Sequence, residues 1–320
     1  MRRALLLRVI AKGFPGGVLA VVLVLLGLAH IGFYETDNLY SIFYAVSLDL
    51  PAVIGMQLLL VTGYFDLSVG AIAALAGLTA AIIVAKTDSV LLGLAVALLV
   101  AVAAGLINAL IVTRLHIHCF VTTIATMGVL HSLALAANDG MVVGGLPDRF
   151  AWLARHKVLG LEFPIICSTV FLCLTSYSQY NLLTFRRFYQ VGSNPLSATI
   201  CGLKVKRIVS LAFVFSALGA SITGIVGTSR TMAASPIGFE TLALDVITAC
   251  VIGGADLRGG SGTSTGAAIG LLIVQVVTVA VILSGVPLYW RYGSIGIVLI
   301  ISLIVNRCSN SVQHSSAMRR

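Results

Sequence analysis

The sequence predicts an all-α, polytopic transmembrane bundle of about ten helices, with both termini on the cytoplasmic side. Three observations carry that prediction. Hydrophobic residues make up 59% of the chain and charged residues only 10%, with a mean hydropathy of +1.07. A soluble domain carries about a quarter charged residues. A chain so poor in charge cannot cover a globular surface with polar groups, so lipid must solvate most of its exposed side chains. Long apolar runs also recur along the whole sequence, and the basic residues fall unevenly among the segments between them.

A spanning helix needs roughly 20 predominantly apolar residues. Runs of this kind lie at 14–33, 41–62, 67–85, 90–113, 120–137, 164–183, 208–228, 264–285 and 290–306. The first follows Arg2, Arg3, Arg8 and Lys12 and is too long for the apolar core of a signal peptide, so it reads as an uncleaved helix. A tenth run, 239–253, is shorter and carries Glu240 and Asp245. It is included because of sidedness. With a cytoplasmic N-terminus, most basic residues fall inside, among them Arg114, Arg186, Arg187, Lys204, Lys206, Arg207 and Arg258. Omitting 239–253 would put Arg307, Arg319 and Arg320 outside, against that rule.

Several function classes are excluded on the residues. The net charge is +9, but the basic residues are dispersed among apolar runs and form no patch for nucleic acid. Cys119, Cys167, Cys173, Cys201, Cys250 and Cys308 sit singly, without metal-ligand spacing, and read as small buried hydrophobes. No Gly-x-x-x-x-Gly-Lys-[Ser/Thr] stretch is present to cradle ATP phosphates; Gly259-Gly260-Ser261-Gly262 lacks the following lysine. No Gly-x-Ser-x-Gly or His-Glu-x-x-His pattern supplies a hydrolase.

Two hydrophilic connections organise the chain. The predicted outer loop, about 138–163, is mixed in charge; the predicted inner loop, about 184–207, is basic. Within the latter, Asn194-Pro195-Leu196-Ser197-Ala198-Thr199-Ile200-Cys201-Gly202 reads as a short helix begun by proline and stopped by glycine. On the residues alone it is equally a docking element or a loop held to anionic lipid by its basic flanks.

An internal echo joins the two halves. Residues 63–70 and 253–260 both fit Gly-x-x-Asp-Leu-x-x-Gly, and each precedes a run rich in small residues. Gly-rich breaks of this kind mark translocation paths in transporters built from repeats. Asp49, Asp66, His131, Asp245 and Asp256 lie in or beside apolar runs and should face the bundle interior or water. Asp66 and Asp256 read either as path residues or as N-caps of the helices that follow. Asn108, Thr122 and Thr123 read as ligand contacts or as hydrogen-bonding glue between helices.

Gly55-Met56 with Val61-Thr62-Gly63-x-x-Asp66-Leu67-Ser68-Val69-Gly70 resembles a signature of the ribose-type, monosaccharide ABC importer permeases. The resemblance continues through Asn108, Phe120-Val121-x-Thr123, Gly192-x-Asn194, Ala198-x-x-x-Gly202 and Ile252-Gly253-Gly254-x-x-Leu257-x-Gly259-Gly260-x-Gly262. It implies a single transmembrane permease domain over 1–320 in the bacterial inner membrane, importing a monosaccharide or small polyol. It also implies a second permease subunit, two ATP-binding subunits that consume the ATP, and a periplasmic sugar-binding protein, with no cofactor or metal in this chain. Asn194, Ser197, Ala198 and Gly202 would form the segment offered to the ATPase. Asp66, Ser68, Asn108, Thr123, Glu240 and Asp245 would be candidates along the substrate path, with Gly63, Gly70, Gly253, Gly254, Gly259, Gly260 and Gly262 as structural motif positions. The chain departs from the family pattern at Tyr64-Phe65, His118, His131-Ser132 and Ala243. The competing class is a secondary carrier for a small polar solute, driven by an ion gradient through Asp49 and Asp245.

Overall fold

The computed structural model describes residues 34–287 and 289–317, with side chains for all of these except 303 and 305–317. The predicted helix at 14–33 and both chain termini lie outside the described residues. Among the described residues, twelve helices run in the order α1 (Thr36–Val61), α2 (Val69–Thr87), α3 (Val90–Arg114), α4 (Cys119–Ala137), α5 (Asp148–Arg155), α6 (Phe163–Asn181), α7 (Leu183–Ser193), α8 (Pro195–Ile200), α9 (Val205–Thr231), α10 (Leu242–Ile252), α11 (Ser264–Leu283) and α12 (Trp290–Ala317). Six of them, α1 to α4, α9 and α11, are long and apolar enough to cross a membrane. The chain is an all-α, multi-pass membrane protein.

The centre of the bundle is α9, which packs against α1, α2 and α3. Small residues make this possible, because helices in lipid associate by close backbone approach rather than by a hydrophobic drive. A Cβ on Gly55 of α1 would stand 2.7 Å from the Phe215 carbonyl oxygen of α9. On Gly219 or Gly224 of α9 it would collide with the backbones of Pro51 and Ala73. These contacts fix the register: Gly55 meets Phe215, Pro51 meets Gly219, and Leu48 accepts a hydrogen bond from the Thr223 hydroxyl at 2.9 Å. α1 and α9 are therefore antiparallel.

Pro51 lies inside α1 and supplies no N–H for the carbonyl four residues back, that of Ser47. The hydroxyl of Ser168 on α6 donates to that carbonyl instead. A neighbouring helix thus satisfies a backbone group that lipid cannot. Ser168→Ala is expected to destabilise the protein by about 1–3 kcal/mol, and by much less in a Pro51→Ala background, where α1 closes its own bond. Thermal unfolding in detergent of the two single variants and the double variant checks this; equal losses in both backgrounds would contradict it.

Three local expectations need correction. The run at 239–253 does not form a spanning helix: α10 has 11 residues, about 16 Å, roughly half the hydrocarbon thickness. Before it, the chain from Ala233 to Thr241 descends without helix, past Pro236 and Gly238, which oppose one. Its start is paired with the 138–163 loop through an isolated bridge between Ala234 and Val143. Secondly, the 138–163 connection, expected as a loop, carries secondary structure of its own. It contains α5 and a minimal hairpin of β1 (Lys157–Val158) and β2 (Leu161–Glu162). Leu159 and Gly160 both take positive φ at its turn, as a tight two-residue hairpin requires. Thirdly, only Cys119 and Cys250 are buried; Cys167, Cys173 and Cys201 are exposed, and the Cys308 side chain lies outside the described residues.

Candidate functional site

The short segment expected in the 184–207 loop forms as α8. Asn194 is its N-cap, its Oδ1 accepting from the Ser197 N–H at 2.9 Å, and Pro195 opens the first turn. Gly202 closes it with φ +81°, a conformation that glycine adopts without steric cost. Ala198 is buried against the bundle. Leu196 and Ile200 project outward and are 72% and 79% exposed. Of the expected segment Asn194, Ser197, Ala198 and Gly202, only Ala198 turns inward; the exposed apolar side chains of α8 are Leu196 and Ile200, which the sequence reading did not single out. Their exposed apolar character beside a polar, basic loop was the available signal.

The amphipathic helix α7 leads into α8, and its last turn reaches the centre of the protein. A Cβ on Gly192 would collide with the Val61 carbonyl oxygen at the end of α1 and lie 2.7 Å from the Gly260 nitrogen. Those two backbones are already joined, Gly260 N–H donating to Val61 at 2.8 Å. A Cβ on Gly259 would stand 2.7 Å from the Gly63 nitrogen and 3.1 Å from the Gly192 Cα. The two echoing segments of the sequence therefore touch each other, and α7 is set directly against both. Nothing bulkier than hydrogen fits at this three-way backbone contact.

The echo also holds in local geometry. Asp66 Oδ1 accepts from Ser68 N–H at 2.8 Å, and Asp256 Oδ1 accepts from Arg258 N–H at 2.9 Å, each bridging two residues ahead. Neither aspartate is the N-cap of the following helix. Ser68 precedes α2, and Thr263 caps α11 through its hydroxyl. The aspartates shape turns instead.

Asp66, Ser68 and Asn108 come together as one fully buried cluster. The Ser68 hydroxyl donates to Asp66, while Asn108 Nδ2 donates to Ser68 Oγ at 2.9 Å and to Asp66 Oδ2 at 3.3 Å. Asn108 therefore ties α3 to the turn before α2. Asn108→Leu is expected to cost about 1–3 kcal/mol, by leaving buried acceptors without a donor. Chemical or thermal unfolding of the detergent-solubilised variant reads this, and unchanged stability would contradict it. Thr123 is buried but donates to Cys119 within its own helix, so it ties no second helix. Glu240 is exposed, on the descending segment before α10.

Asp245 lies elsewhere, towards the 138–163 face. Its Oδ2 pairs with Arg291 Nη2 of α12 at 2.7 Å, with side chains 5% and 25% exposed respectively. Its Oδ1 and the Arg291 Nε have no partner among the described residues. Nearby, Gln275 of α11 donates to Asp49 Oδ2 of α1 at 2.9 Å. Asp49 lies within electrostatic reach of Asp245, Arg291 and Arg230. It also lines a cavity of about 420 Å³, together with Thr223, Thr228, Arg230 and Ser235. That volume lies within the range of about 300–1,000 Å³ usual for small-molecule sites, and the lining offers hydroxyls and both signs of charge.

A further polar cluster was not foreseen. Gln179 of α6 donates to Gln57 Oε1 of α1 at 2.7 Å and to Ser264 Oγ of α11 at 2.9 Å, and accepts from Ser264 N–H at 3.0 Å. Tyr189 of α7 donates to the Gly262 carbonyl at 2.8 Å beside it. The available signal was a glutamine within each of two apolar runs, at 57 and 179.

Comparison with known proteins bears on this architecture. A family described as branched-chain amino acid transport system / permease component matches residues 38–303. The span runs from the first described helix through the α8 segment and the paired glycine motifs into α12. This chain belongs to that permease family. The permease is 31% identical over 294 residues to the L-arabinose ABC transporter permease protein of Azospirillum brasilense, covering 91% of this chain and 87% of the relative. It is 32% identical over 295 residues to the L-arabinose transport system permease protein of Escherichia coli K12, covering 91% and 88%. It is 31% identical over 292 residues to the ribose import permease protein of Bacillus subtilis 168, covering 90% of each. The expected membership of the ribose-type, monosaccharide ABC importer permeases is borne out. No solved structure matches the permease.

Two departures from the family pattern have local partners. Tyr64 packs on Phe213 with ring centroids 6.3 Å apart, and Phe65 meets Phe120 edge-on at 6.4 Å. The larger pair is thus accommodated by aromatic contacts with α9 and α4. His118 caps α4, its Nδ1 accepting from Phe120 N–H at 3.3 Å.

Proposed function

We propose that the permease is the membrane-spanning subunit of an ATP-driven importer that carries a monosaccharide or related small polyol across the bacterial inner membrane. The relatives named for L-arabinose and ribose import support sugar as the cargo. The full chain then forms one domain that crosses the membrane about ten times, one crossing being made by the segment from Ala233 with the half-length α10, with both termini and the 184–207 loop in the cytoplasm and the 138–163 loop in the periplasm. The sequence carries no phosphate-binding loop, so two separate ATP-binding subunits supply the energy. A second permease subunit completes the pathway, and a periplasmic sugar-binding protein delivers the solute.

The single observation that carries the mechanism is the seating of α8 and α7. A push on Leu196 and Ile200 from a closing ATPase pair passes through α7 to Gly192, and there meets Val61, Gly63, Gly259 and Gly260 without intervening side chains. From that contact α1 runs continuously to Asp49, and the 253–263 loop leads back through α10 to Asp245. Both carboxylates stand at the cavity end of the bundle. Movement of the cytoplasmic loop is thereby linked to the polar groups the solute meets. Asp245 and Glu240 lie on the path side in this proposal, while Asp66, Ser68, Asn108 and Thr123 hold the shape of its wall.

The docking element of the proposal has its own test. Leu196→Glu with Ile200→Glu changes only exposed side chains, so folding should be retained. Co-purification of the ATP-binding subunits and sugar uptake should both be lost. Retention of both would show that α8 is not the docking element. The backbone of Gly202 gives a second probe. Gly202→Val meets no neighbour but forces a β-branched residue into positive φ, and is expected to lower uptake while the membrane domain still folds.

A further inference from the structure

The run Lys204-Val205-Lys206-Arg207 is only partly explained by topology. The positive-inside bias sets the face on which basic residues lie, not whether they converge on one cavity. Here they converge. A cavity of about 520 Å³ opens beside α8, lined by Arg114 and His116 at the end of α3 and by Lys204, Lys206 and Arg207 at the start of α9. Among the described residues, its lining contains no acidic side chain. Among the described residues, none of the four Lys and Arg side chains is in an ion pair.

A groove of about 340 Å³ continues from it, sharing Thr113, Arg114, Lys206 and Arg207. The groove then follows Leu106 and Leu110 of α3 and Leu211 and Val214 of α9, into the span. Leu106, Leu110 and Leu211 are 43%, 53% and 49% exposed. The spacing is helical on both walls: Arg114, Leu110 and Leu106 recede by one turn each, as do Arg207 and Leu211. The surface is therefore cationic at the membrane face and apolar below it, on one continuous path.

We propose that this path is a binding site for an anionic phospholipid, with its phosphate in the basic cavity and an acyl chain along the α3–α9 groove. Basic recesses between spanning helices on the cytoplasmic side suit anionic headgroups in this way. An acidic surface of an ATP-binding subunit would match the cavity, but it has no means of filling a groove that runs between spanning helices. Free phosphate would likewise leave the groove unused. The lipid contacts α3, the rim of α8 at Thr199, and Tyr64 of the motif turn, so it braces the coupling segment against the bundle.

The test uses delipidated full-length protein in neutral detergent. It is titrated with dioleoyl phosphatidylglycerol, with dioleoyl phosphatidylcholine and with inorganic phosphate, and bound species are counted by native mass spectrometry. Wild-type protein should prefer phosphatidylglycerol over phosphatidylcholine by at least about ten-fold. Lys206→Gln with Arg207→Gln should abolish that preference. Leu110→Trp with Leu211→Trp, which fills the groove, should weaken both lipids while leaving any phosphate binding intact. Equal binding of the two lipids by wild-type protein overturns the proposal without recourse to a variant. So does phosphate that competes fully with phosphatidylglycerol while the tryptophan variant binds as wild type, which marks a phosphate site. A glutamine variant that loses the ATP-binding subunits but keeps the lipid preference assigns the charges to the docking interface and overturns it as well.

Discussion

Gly192→Val is expected to abolish ATP-dependent uptake while leaving the ATP-binding subunits attached. The side chain would occupy space already held by the Val61 carbonyl and the Gly260 nitrogen, so α7 must move away from the end of α1. Forcing bulk into packed backbone costs about 1–3 kcal/mol or more, and here the hydrogen bond from Gly260 to Val61 is pushed apart as well. The exposed face of α8 is untouched, because Leu196 and Ile200 lie beyond Asn194, which caps α8 independently. Docking should therefore survive and transmission should fail. The measurements are ATP hydrolysis and sugar uptake by the same reconstituted complex. Hydrolysis should persist while uptake falls by about ten-fold or more, and Gly192→Ala, which already sets a Cβ against the Val61 carbonyl, should also uncouple the two. Uptake that keeps pace with hydrolysis in the valine variant would remove the three-way glycine contact from the mechanism.

The second large effect concerns the ion pair at the other end of the bundle. Arg291→Gln leaves Asp245, 5% exposed, facing its former partner without charge compensation. Breaking a buried pair by removing one side costs about 3–5 kcal/mol, because the remaining charge has lost both water and its counter-ion. The cost should appear as a large fall in thermal stability, since α12 loses its polar tie to α10. Asp245→Asn with Arg291→Gln removes the stranded charge and should recover most of that loss. If the double variant is as unstable as Arg291→Gln alone, the pair is not what holds α10 to α12. Uptake separates a structural role from a path role. A double variant restored in stability but silent in transport places Asp245 and Arg291 on the solute's route.

Much of this architecture was legible because its determinants are local. Apolar runs gave the helices α1 to α4, α6, α9, α11 and α12, each within several residues of its observed start. The Asn194-Pro195 start and Gly202 stop of α8 were readable because capping is decided by neighbours in sequence. The half-length of α10 was not readable. Its apolar composition is the same whether the preceding residues form helix or a run of turns, and the choice rests on burial between other elements. The aspartates of the echo read as path residues or N-caps, and the structure instead makes both turn formers; an acceptor two residues ahead and an N-cap have nearly the same sequence signature.

Contacts between distant segments were the least legible part. Gly63 and Gly259 take positive φ, a local reason to be glycine, whereas Gly192 lies within α7 and is constrained only by its distant neighbours, and nothing in their spacing says that the three meet. Gln57, Gln179 and Ser264 likewise come from three separate runs and find their partners only in the folded bundle. Neutral amides hide well in an apolar run, since they break neither its length nor its charge pattern. Asn108 was the exception, singled out in advance, and it does bridge two elements. The side chains expected along the path divide in the same way: those beside the motif turn are enclosed, and those before and within α10 lie nearer the cavity.

The central claim is that this permease moves sugar only when separate subunits hydrolyse ATP against its α8 segment. Uptake of labelled L-arabinose and ribose tests it in sealed vesicles containing the permease and the periplasmic binding protein, with and without the co-expressed ATP-binding subunits. Uptake should require those subunits and ATP, and should withstand collapse of the proton and sodium gradients. Uptake that persists without ATP and disappears when an ion gradient is collapsed would contradict the account and identify a secondary carrier instead.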